Sequence, residues 1–302
     1  MTVHTSTISA KAAEVHAGRL VLILGGLAAL GPLSVDMYLP AFPTIARSLE
    51  TTLPSVEVSL ASYFAGLSLG QLFYGPLADR YGRKVPLLVG LIIYALASVA
   101  CALAQSIEAV ITLRFIQALG ACGGMVIPRA IVRDRFGHQE SARIFSLLML
   151  IMGVAPILAP LLGGYLGTHL GWRSIFWFLV MFSSLAMAAS ALFLRETHGS
   201  HPEFKMSGSF ATFGRLLRDR EFLRYTLAGS IAQAGMFAYI TGSPFVFIEL
   251  FGIPAESFGW VFGGNALGLI AVSQLNARLL RTYSYERILT VAIRILAISG
   301  SF

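Results

Sequence analysis

The stretch Gly75–Leu88, GPLADRYGRKVPLL, places four charged residues within six positions, between two long apolar runs. The run before it, residues 58–78, and the run after it, residues 86–105, contain no Asp, Glu, Lys or Arg. A helix needs about 20 consecutive, mainly apolar residues to cross the hydrocarbon core of a bilayer. The stretch therefore predicts a short polar loop that joins two membrane-spanning helices.

The composition of the whole chain agrees with a membrane location. Of 302 residues, 56% are hydrophobic and 12% are charged, and the mean hydropathy is +0.75. Soluble domains carry about 25% charged residues, so this chain has half the usual polar surface. We expect an all-α integral membrane protein surrounded by lipid. The net charge of +7 forms no basic stripe, so no nucleic-acid partner is expected.

Apolar runs of spanning length recur along the whole chain. They predict eight helices and the start of a ninth near residue 287: 19–42, 58–78, 86–105, 108–131, 142–167, 174–194, 225–249 and 257–280. The longest polar break, 195–224, divides the chain into three parts. These are an N-terminal six-helix bundle (1–194), a cytoplasmic central loop (195–224) and an incomplete C-terminal bundle of about three helices (225–302).

Lysines and arginines predict the orientation of the helices. With the N-terminus in the cytoplasm, eighteen of them fall in inside segments and two, Arg47 and Arg173, fall outside. Cytoplasmic loops of membrane proteins carry this excess of positive charge. We therefore expect a multi-pass protein of the bacterial inner membrane with a cytoplasmic N-terminus.

The two halves of the chain show a trace of repetition. FAGLSLG at residues 64–70 and FGGNALG at residues 262–268 occupy corresponding helices, and Pro40 and Pro244 lie near the ends of the helices before them. Parallel repeats of this kind occur in secondary transporters.

The loop Gly75–Leu88 resembles the signature loop of the major facilitator superfamily, Gly-x-Leu-x-Asp-Arg-x-Gly-Arg-Lys. Four further segments resemble the Bcr/CflA drug-resistance branch: DMYLPAFPTIA, LRFIQALGACGG, GVAPILAPLLGG and GMFAYITGSPFVFIE. The resemblance implies the major facilitator fold, twelve helices and drug:proton antiport. Two features depart from the family pattern. Ala159-Pro160 replaces Gly-Pro in the fifth helix, and the sequence stops inside the ninth helix, as a truncated chain would.

Asp36 and Arg114 are charged residues inside apolar runs. Each lies about six residues from the same membrane face, roughly 9 Å deep, so we expect them to share a polar cavity, paired directly or through water. Ionisable residues within the membrane are functional candidates by default. We interpret Asp36 as the group that takes up and releases a proton, and Arg114 as the group that tunes its proton affinity. A structural ion pair is the alternative.

The charged loop is the candidate gate. Asp79 is expected to cap the start of the following helix, while the cations face the cytoplasm. In the family this loop contacts the eleventh helix when the outward-facing state is locked. The alternative is that the cations only enforce topology. The gate residues are Gly75, Asp79, Arg80, Gly82, Arg83 and Lys84.

The fifth helix combines prolines, which bend spanning helices, with small residues, which allow close packing. We expect a tightly sealed, bending wall, with ordinary helix packing as the alternative. Its residues are Gly153, Pro156, Pro160, Gly163 and Gly164.

Aromatic and methionine side chains offer adaptable apolar contact to varied ligands. Packing or lipid contact is the alternative for each of them. The candidates for the substrate cavity are Tyr38, Gln117, Met125, Tyr239 and Phe245.

The sequence contains no phosphate-binding GxxxxGK[ST] motif and no HExxH pair, so we expect no enzyme, no cofactor and no metal. The first hypothesis is a monomeric, proton-driven exporter of drugs and other amphipathic small molecules. A proton-coupled metabolite symporter is the second. A non-transporting fragment is the third, and an in-frame continuation of the gene beyond codon 302 would argue against it.

Overall fold

A computed structural model describes residues 3–197, 199, 212–280 and 282–299. This part of the chain contains helices and no strand, which confirms the all-α prediction. The helices are α1 (Val3–Asp36), α2 (Phe42–Ser48), α3 (Leu53–Tyr81), α4 (Lys84–Leu103), α5 (Ile107–Arg135), α6 (His138–His169), α7 (Arg173–Phe193), α8 (Arg220–Pro244), α9 (Ala255–Leu279) and α10 (Tyr285–Ser299). A 3₁₀ turn, Leu39–Ala41, precedes α2, and a π-helical turn, Phe245–Leu250, follows α8. A short helical segment at residues 212–216 lies before α8.

Seven segments of the described chain are long and apolar enough to cross a membrane: Gly18–Ser48, Lys84–Leu103, Ile107–Arg135, His138–His169, Arg173–Phe193, Arg220–Leu250 and Ala255–Asn276. The predicted second span is also helical, as the 29-residue α3, but it is not among the seven. Four serines within α3 lower its hydropathy, and its most buried side chains face the other helices of the bundle.

The prediction of one continuous first helix, 19–42, was wrong. Helix α1 ends at Asp36, the chain turns, and the same span continues through α2 to Ser48. Pro40 has no N–H group to donate to the carbonyl of Asp36, and Pro43 has none for the carbonyl of Leu39. Two lost hydrogen bonds within four residues break the helix inside the span.

Helix α5 is the centre of the N-terminal half, because α1, α3 and α4 all pack against it. Small residues allow these close approaches. A Cβ atom added at Gly66 of α3 would lie 2.5 Å from the carbonyl oxygen of Phe115, and one at Gly120 would lie 2.6 Å from the carbonyl oxygen of Gly90. Any side chain at these positions would push the helices apart.

The two halves of the chain meet along α6 and α9. A Cβ atom at Gly164 would lie 2.5 Å from the carbonyl oxygen of Ala255, and one at Gly259 would lie 2.6 Å from the backbone nitrogen of Leu161. We call this contact the α6–α9 seam. At its end, His169 Nε2 lies 3.8 Å from Glu256 Oε1.

The division into two bundles and a central loop stays a prediction. Residues 198 and 200–211 of the expected loop, and the chain after residue 299, lie outside the described residues.

Candidate functional site

The break in α1 places a carboxylate inside the span. Asp36 is the last residue of α1 and is 5% exposed. Among the described residues, no hydrogen bond or ion pair to its carboxylate is present. The apolar span continues for twelve residues beyond Asp36, to Ser48, so Asp36 lies twelve residues from its end and not the six that the sequence predicted.

The turn after Asp36 also changes the backbone hydrogen bonds of α1. The N–H of Tyr38 donates to the carbonyl of Val35 at 3.2 Å instead of to the carbonyl of Ser34, as a continuous helix would require. The Ser34 oxygen accepts from Nη2 of Arg114 at 2.9 Å. A guanidinium thus caps the end of the broken helix, where the helix dipole is negative.

Arg114 is fully buried among neutral groups. Its Nη1 donates to Oε1 of Gln117 at 2.6 Å. Its Cζ lies 4.5 Å from the ring centroid of Tyr38 and 4.1 Å from that of Tyr63, within the range of cation–π attraction. We call Arg114, Gln117, Tyr38 and Tyr63 the arginine cluster.

Hydrogen bonds tie the arginine cluster to α4. Nε2 of Gln117 donates to Oγ of Ser98 at 2.7 Å, and the hydroxyls of Ser34 and Tyr94 lie 2.6 Å apart. Ser34, Ser98 and Tyr94 were not predicted, because serine and tyrosine are ordinary residues in a membrane helix and no sequence signal singles them out.

The structure does not bring Asp36 and Arg114 into an ion pair. Within the described chain, every hydrogen-bond acceptor of Arg114 is neutral, and the two residues are linked only through the backbone between Ser34 and Asp36. Direct pairing is therefore not observed. The proposed proton exchange at Asp36 stays a prediction.

The five substrate-cavity candidates do not form one site. Tyr38 and Gln117 are buried in the arginine cluster, and Tyr38 also shares a hydrogen bond of 2.7 Å with Ser59. Met125 is half-buried beside Gly31. Tyr239 and Phe245 lie on the second half and are 39% and 49% exposed. Tyr239 stacks on the ring of Phe262 at 5.9 Å and accepts a hydrogen bond from the Asn265 amide.

The candidate gate is a compact ionic cluster, which we call the Arg83 cluster. Nη1 of Arg83 lies 2.7 Å from Oδ1 of Asp79, and Nε lies 2.8 Å from Oδ2 of Asp134 at the end of α5. Arg83 is 8% exposed, so its side chain is enclosed by the protein, and the expectation that it lies on the cytoplasmic side stays a prediction. Burial disfavours its charge, but the two carboxylates outweigh burial and hold the pKa of Arg83 above its ordinary value.

Glu196, not Asp79, caps the start of α4. Its two carboxylate oxygens accept from the backbone N–H groups of Arg83 at 2.7 Å and Lys84 at 3.0 Å. The carboxylate of Asp79 instead pairs with the side chain of Arg83, four residues further along the chain. Glu196 was not predicted as a capping residue, because it is 113 residues from Arg83 along the chain.

The remaining gate residues have separate positions. Gly82 adopts φ of +82° and ends α3, a conformation that favours glycine. Nζ of Lys84 donates to the carbonyl of Ala191 at 2.7 Å. Cζ of Arg80 lies 5.3 Å from the ring centroid of Tyr81. Gly75 faces open space.

The glycines predicted in the fifth helix, which is α6, lie against both neighbours. Gly163 meets the backbone of Met37, the residue after Asp36, while Gly164 meets Ala255 in the seam. A Cβ atom added at Gly153 would lie 3.5 Å from Cδ1 of Ile270. Pro156 and Pro160 lie within the same helix. One helix thus packs on the break in α1 and on the other half.

Known proteins resemble this chain over nearly its full length. The family model described as Major Facilitator Superfamily matches residues 24–302. An "Uncharacterized MFS-type transporter YdgK" of Bacillus subtilis is 40% identical over 91% of this chain and 69% of its own length. A "Bicyclomycin resistance protein homolog" of Haemophilus influenzae is 33% identical over 93% of this chain and 71% of its own length.

A "Chloramphenicol resistance protein" of Pseudomonas aeruginosa is 31% identical over 90% of this chain. The chain spans 65% of that relative, so it covers about two thirds of the curated relatives it matches.

A solved structure shares the fold. The bacterial homologue of the human lysosomal transporter Spinster, in an inward-facing and occupied conformation, aligns with a TM-score of 0.70 and 18% identity. The alignment covers 90% of this chain and 63% of that one. The predicted major facilitator fold is confirmed, as is the expectation of a transporter in place of an enzyme. By its sequence and its fold, this multi-pass membrane chain belongs to the major facilitator superfamily.

Proposed function

We propose that this chain takes part in proton-coupled efflux of drugs and other amphipathic small molecules, by alternating access across the bacterial inner membrane. The N-terminus is cytoplasmic in this proposal, residues 195–224 form a cytoplasmic loop, and the protein acts as a monomer. The bicyclomycin, chloramphenicol and multidrug resistance named in the relatives support drugs as the substrate class.

The observation that carries the proposal is the buried carboxylate at the break in α1. A deeply buried carboxylate with no partner is costly while it is charged. It can be neutralised by a proton or paired with a positively charged substrate. Because one carboxylate cannot serve both at once, binding of either ligand favours release of the other, which is the requirement for antiport.

The arginine cluster gives Arg114 a positioning role in this cycle. By capping the carbonyl of Ser34, the guanidinium holds the broken end of α1 and therefore the backbone that carries Asp36. Proton release at Asp36 is then coupled to the geometry of the break.

The Arg83 cluster is the proposed cytoplasmic gate. Its ion pairs connect the end of α3, the start of α4 and the end of α5. Glu196 adds the segment after α7, so this end of the bundle is rigid. Alternating access requires each half to move as a body, and the ionic cluster resists deformation at the end where the helices would otherwise splay.

Inverted membrane vesicles test the proposal. They are acidified inside by respiration, and a pH-sensitive dye reports proton release after addition of tetraphenylphosphonium, a permanently cationic amphipathic compound that can pair with a carboxylate. The native chain should release protons on drug addition, and Asp36→Asn should abolish the response while the protein level in the membrane stays the same.

Proton release that survives in Asp36→Asn would remove Asp36 from the mechanism. Proton movement that requires a metabolite, and that carries the metabolite in the same direction as the proton, would favour a symporter instead.

A further inference from the structure

A closed ring of hydrogen bonds joins α1, α4 and α5 at the broken end of α1. Ser34 takes part twice, because its carbonyl accepts from Nη2 of Arg114 and its hydroxyl lies 2.6 Å from that of Tyr94. Nη1 of Arg114 donates to Gln117, and the Gln117 amide nitrogen donates to Ser98. The hydroxyl of Ser98 donates to the carbonyl of Tyr94 at 2.7 Å, which closes the ring. All five side chains are fully buried.

The donors in this ring can be assigned by counting protons. A serine hydroxyl has one proton to donate. Ser34 donates its proton to the carbonyl of Leu30 at 2.6 Å, so the hydroxyl of Tyr94 is the donor in the bond between Tyr94 and Ser34. Ser98 donates its proton to its own helix, so its oxygen acts as the acceptor for Gln117. Each bond of the ring therefore has one direction.

Ser98 determines which end of the Gln117 amide faces Arg114. A side-chain amide carries an acceptor oxygen at one end and a donor nitrogen at the other, whereas a guanidinium only donates. The oxygen end must therefore face Arg114, and the nitrogen end needs an acceptor on the opposite side. Ser98 supplies that acceptor. Without it, a buried N–H group would lose its partner, which is costly.

We propose that Ser98 and Tyr94 of α4 are positioning residues for the break in α1. Ser98 holds the guanidinium of Arg114 in place through the Gln117 amide. Tyr94 holds the hydroxyl of the residue whose carbonyl the guanidinium caps. The two residues thus fix both partners of the cap from a third helix. For transport, the inference rests on the proposed function, because it assigns α4 a part in preparing the proton-exchange site.

Nitrogen NMR of the full chain in lipid nanodiscs, with isotope-labelled arginine, tests the positioning without transport. Nη1 and Nη2 of Arg114 bind different acceptors in the native chain, so they should give two separate signals. Arg114→Lys identifies these signals by removing them. Ser98→Ala should merge the two signals, because the amide of Gln117 no longer holds its oxygen against Nη1.

Ser183→Ala is the matched control. Ser183 is as buried as Ser98, but its hydroxyl donates to the carbonyl of Val180 within its own helix, α7. The control variant should keep the two separate signals of Arg114. If Ser98→Ala does not fold, Tyr94→Phe replaces it, since it removes one oxygen and keeps the ring of the side chain. Tyr94→Phe should change the Nη2 signal, because the end of α1 is then released from α4.

Proton release from inverted vesicles on addition of tetraphenylphosphonium measures the effect on transport. Ser98→Ala should lower the maximal rate per folded protein by about fivefold or more, the effect of one lost hydrogen-bond partner. The half-saturating concentration should change by less than about twofold, because the groups that bind substrate are unchanged. In a Gln117→Leu background, Ser98→Ala should have no further effect, because the amide through which it acts is absent.

Three results would overturn the inference. The first is a native pair of Arg114 signals in Ser98→Ala, or in Tyr94→Phe if that variant replaces it. The second is an equal loss of rate in Ser98→Ala and Ser183→Ala. The third is a further loss when Ser98→Ala is added to Gln117→Leu. Merged signals in Ser98→Ala, in a chain whose native form releases no protons on drug addition, would support the positioning and contradict the antiport proposal.

Discussion

At the residue scale, Arg114 is unusual because it is a fully buried cation whose described hydrogen-bond acceptors are all neutral. Its planar guanidinium serves two acceptors in different directions while it lies against two tyrosine rings. A lysine ammonium is a point charge on a flexible stem and cannot reproduce this arrangement. The shape of the side chain is therefore expected to matter as much as its charge.

We expect Arg114→Lys to lower drug-driven proton release at least tenfold in inverted vesicles, although the charge is kept. Arg143→Lys, at an exposed position on α6, is the control and should behave as the native chain. Native rates in Arg114→Lys would mean that only the charge of Arg114 is used.

Glu196 provides a second prediction at this scale, because its carboxylate caps α4. Loss of a capping acceptor costs about 1 kcal/mol. Glu196→Ala should therefore lower the thermal unfolding temperature of the purified protein. Glu196→Gln keeps one acceptor oxygen and should lie between alanine and native. Equal unfolding temperatures for all three proteins would show that the cap contributes no stability.

Single functional candidates could be predicted from the sequence when a charged residue occurs inside an otherwise apolar run. Asp36 and Arg114 are charged residues in apolar runs, so composition alone singled them out. Ser34, Ser98 and Tyr94 are unremarkable in a membrane helix, and their importance comes from partners in other helices. Glu196 was missed because an acid near a helix end has no sequence signal for a cap 113 residues away.

At the element scale, the first helix of each half ends in a distortion at a proline. Helix α1 breaks before Pro40, and α8 ends at Pro244 and passes into the π-helical turn Phe245–Leu250. π-Turns are frequent at functional sites. The paired prolines seen in the sequence thus mark corresponding irregularities, which is consistent with the predicted repeat.

The break in α1 depends on the glycine that faces it. A side chain at Gly163 would overlap the backbone of Met37, and overpacking of this kind costs about 1–3 kcal/mol. We expect Gly163→Ala to lower the unfolding temperature of the purified protein and to slow drug-driven proton release.

Gly229→Ala is the matched control for that substitution. Gly229 lies inside α8 with open space around it, and alanine favours helix over glycine by up to about 1 kcal/mol. The control should therefore be neutral or slightly more stable. Similar losses in both variants would mean that the contact with Met37 is not the cause.

The positions of the helices were predictable, and their ends were less so. Apolar runs identified α3 to α9 because each must match the bilayer. They did not reveal that the first span continues past residue 42, because the segment that follows contains Pro43, Thr44 and Arg47 and is less apolar than the segment before it. A helix break depends on backbone hydrogen bonds, which hydropathy does not report.

At the scale of the whole molecule, the two halves meet along the α6–α9 seam, at the end opposite the Arg83 cluster. The proposed alternating access would require this seam to open. We expect that a short, cleavable cross-linker between His169→Cys and Glu256→Cys will stop drug-driven proton release, and that cleavage will restore it. The two native cysteines, Cys101 and Cys122, are buried and should not react.

Each single-cysteine variant, treated with the same reagent, controls for modification without cross-linking. Undiminished transport by the fully cross-linked protein would show that the seam stays closed throughout the cycle.

The fold of the whole molecule was the most predictable feature, because composition, hydropathy and one loop motif all indicate the same architecture. The packing of the two halves against each other could not be predicted from the sequence. It depends on which glycines meet which backbones, and glycine is common throughout the chain.

The contact of Glu196 with the start of α4 also sets an order of assembly. Ribosomes add about 5–20 residues per second, so Arg83 and Lys84 wait on the order of ten seconds before Glu196 is made. Until then, the backbone N–H groups at the N-terminus of α4 lack the carboxylate that accepts their hydrogen bonds in the folded protein. Once Glu196 has been synthesised, its carboxylate can cap the start of α4, and this contact joins the segment after α7 to the helices made before it. The N-terminal half can therefore mature in the membrane before α8 has been synthesised.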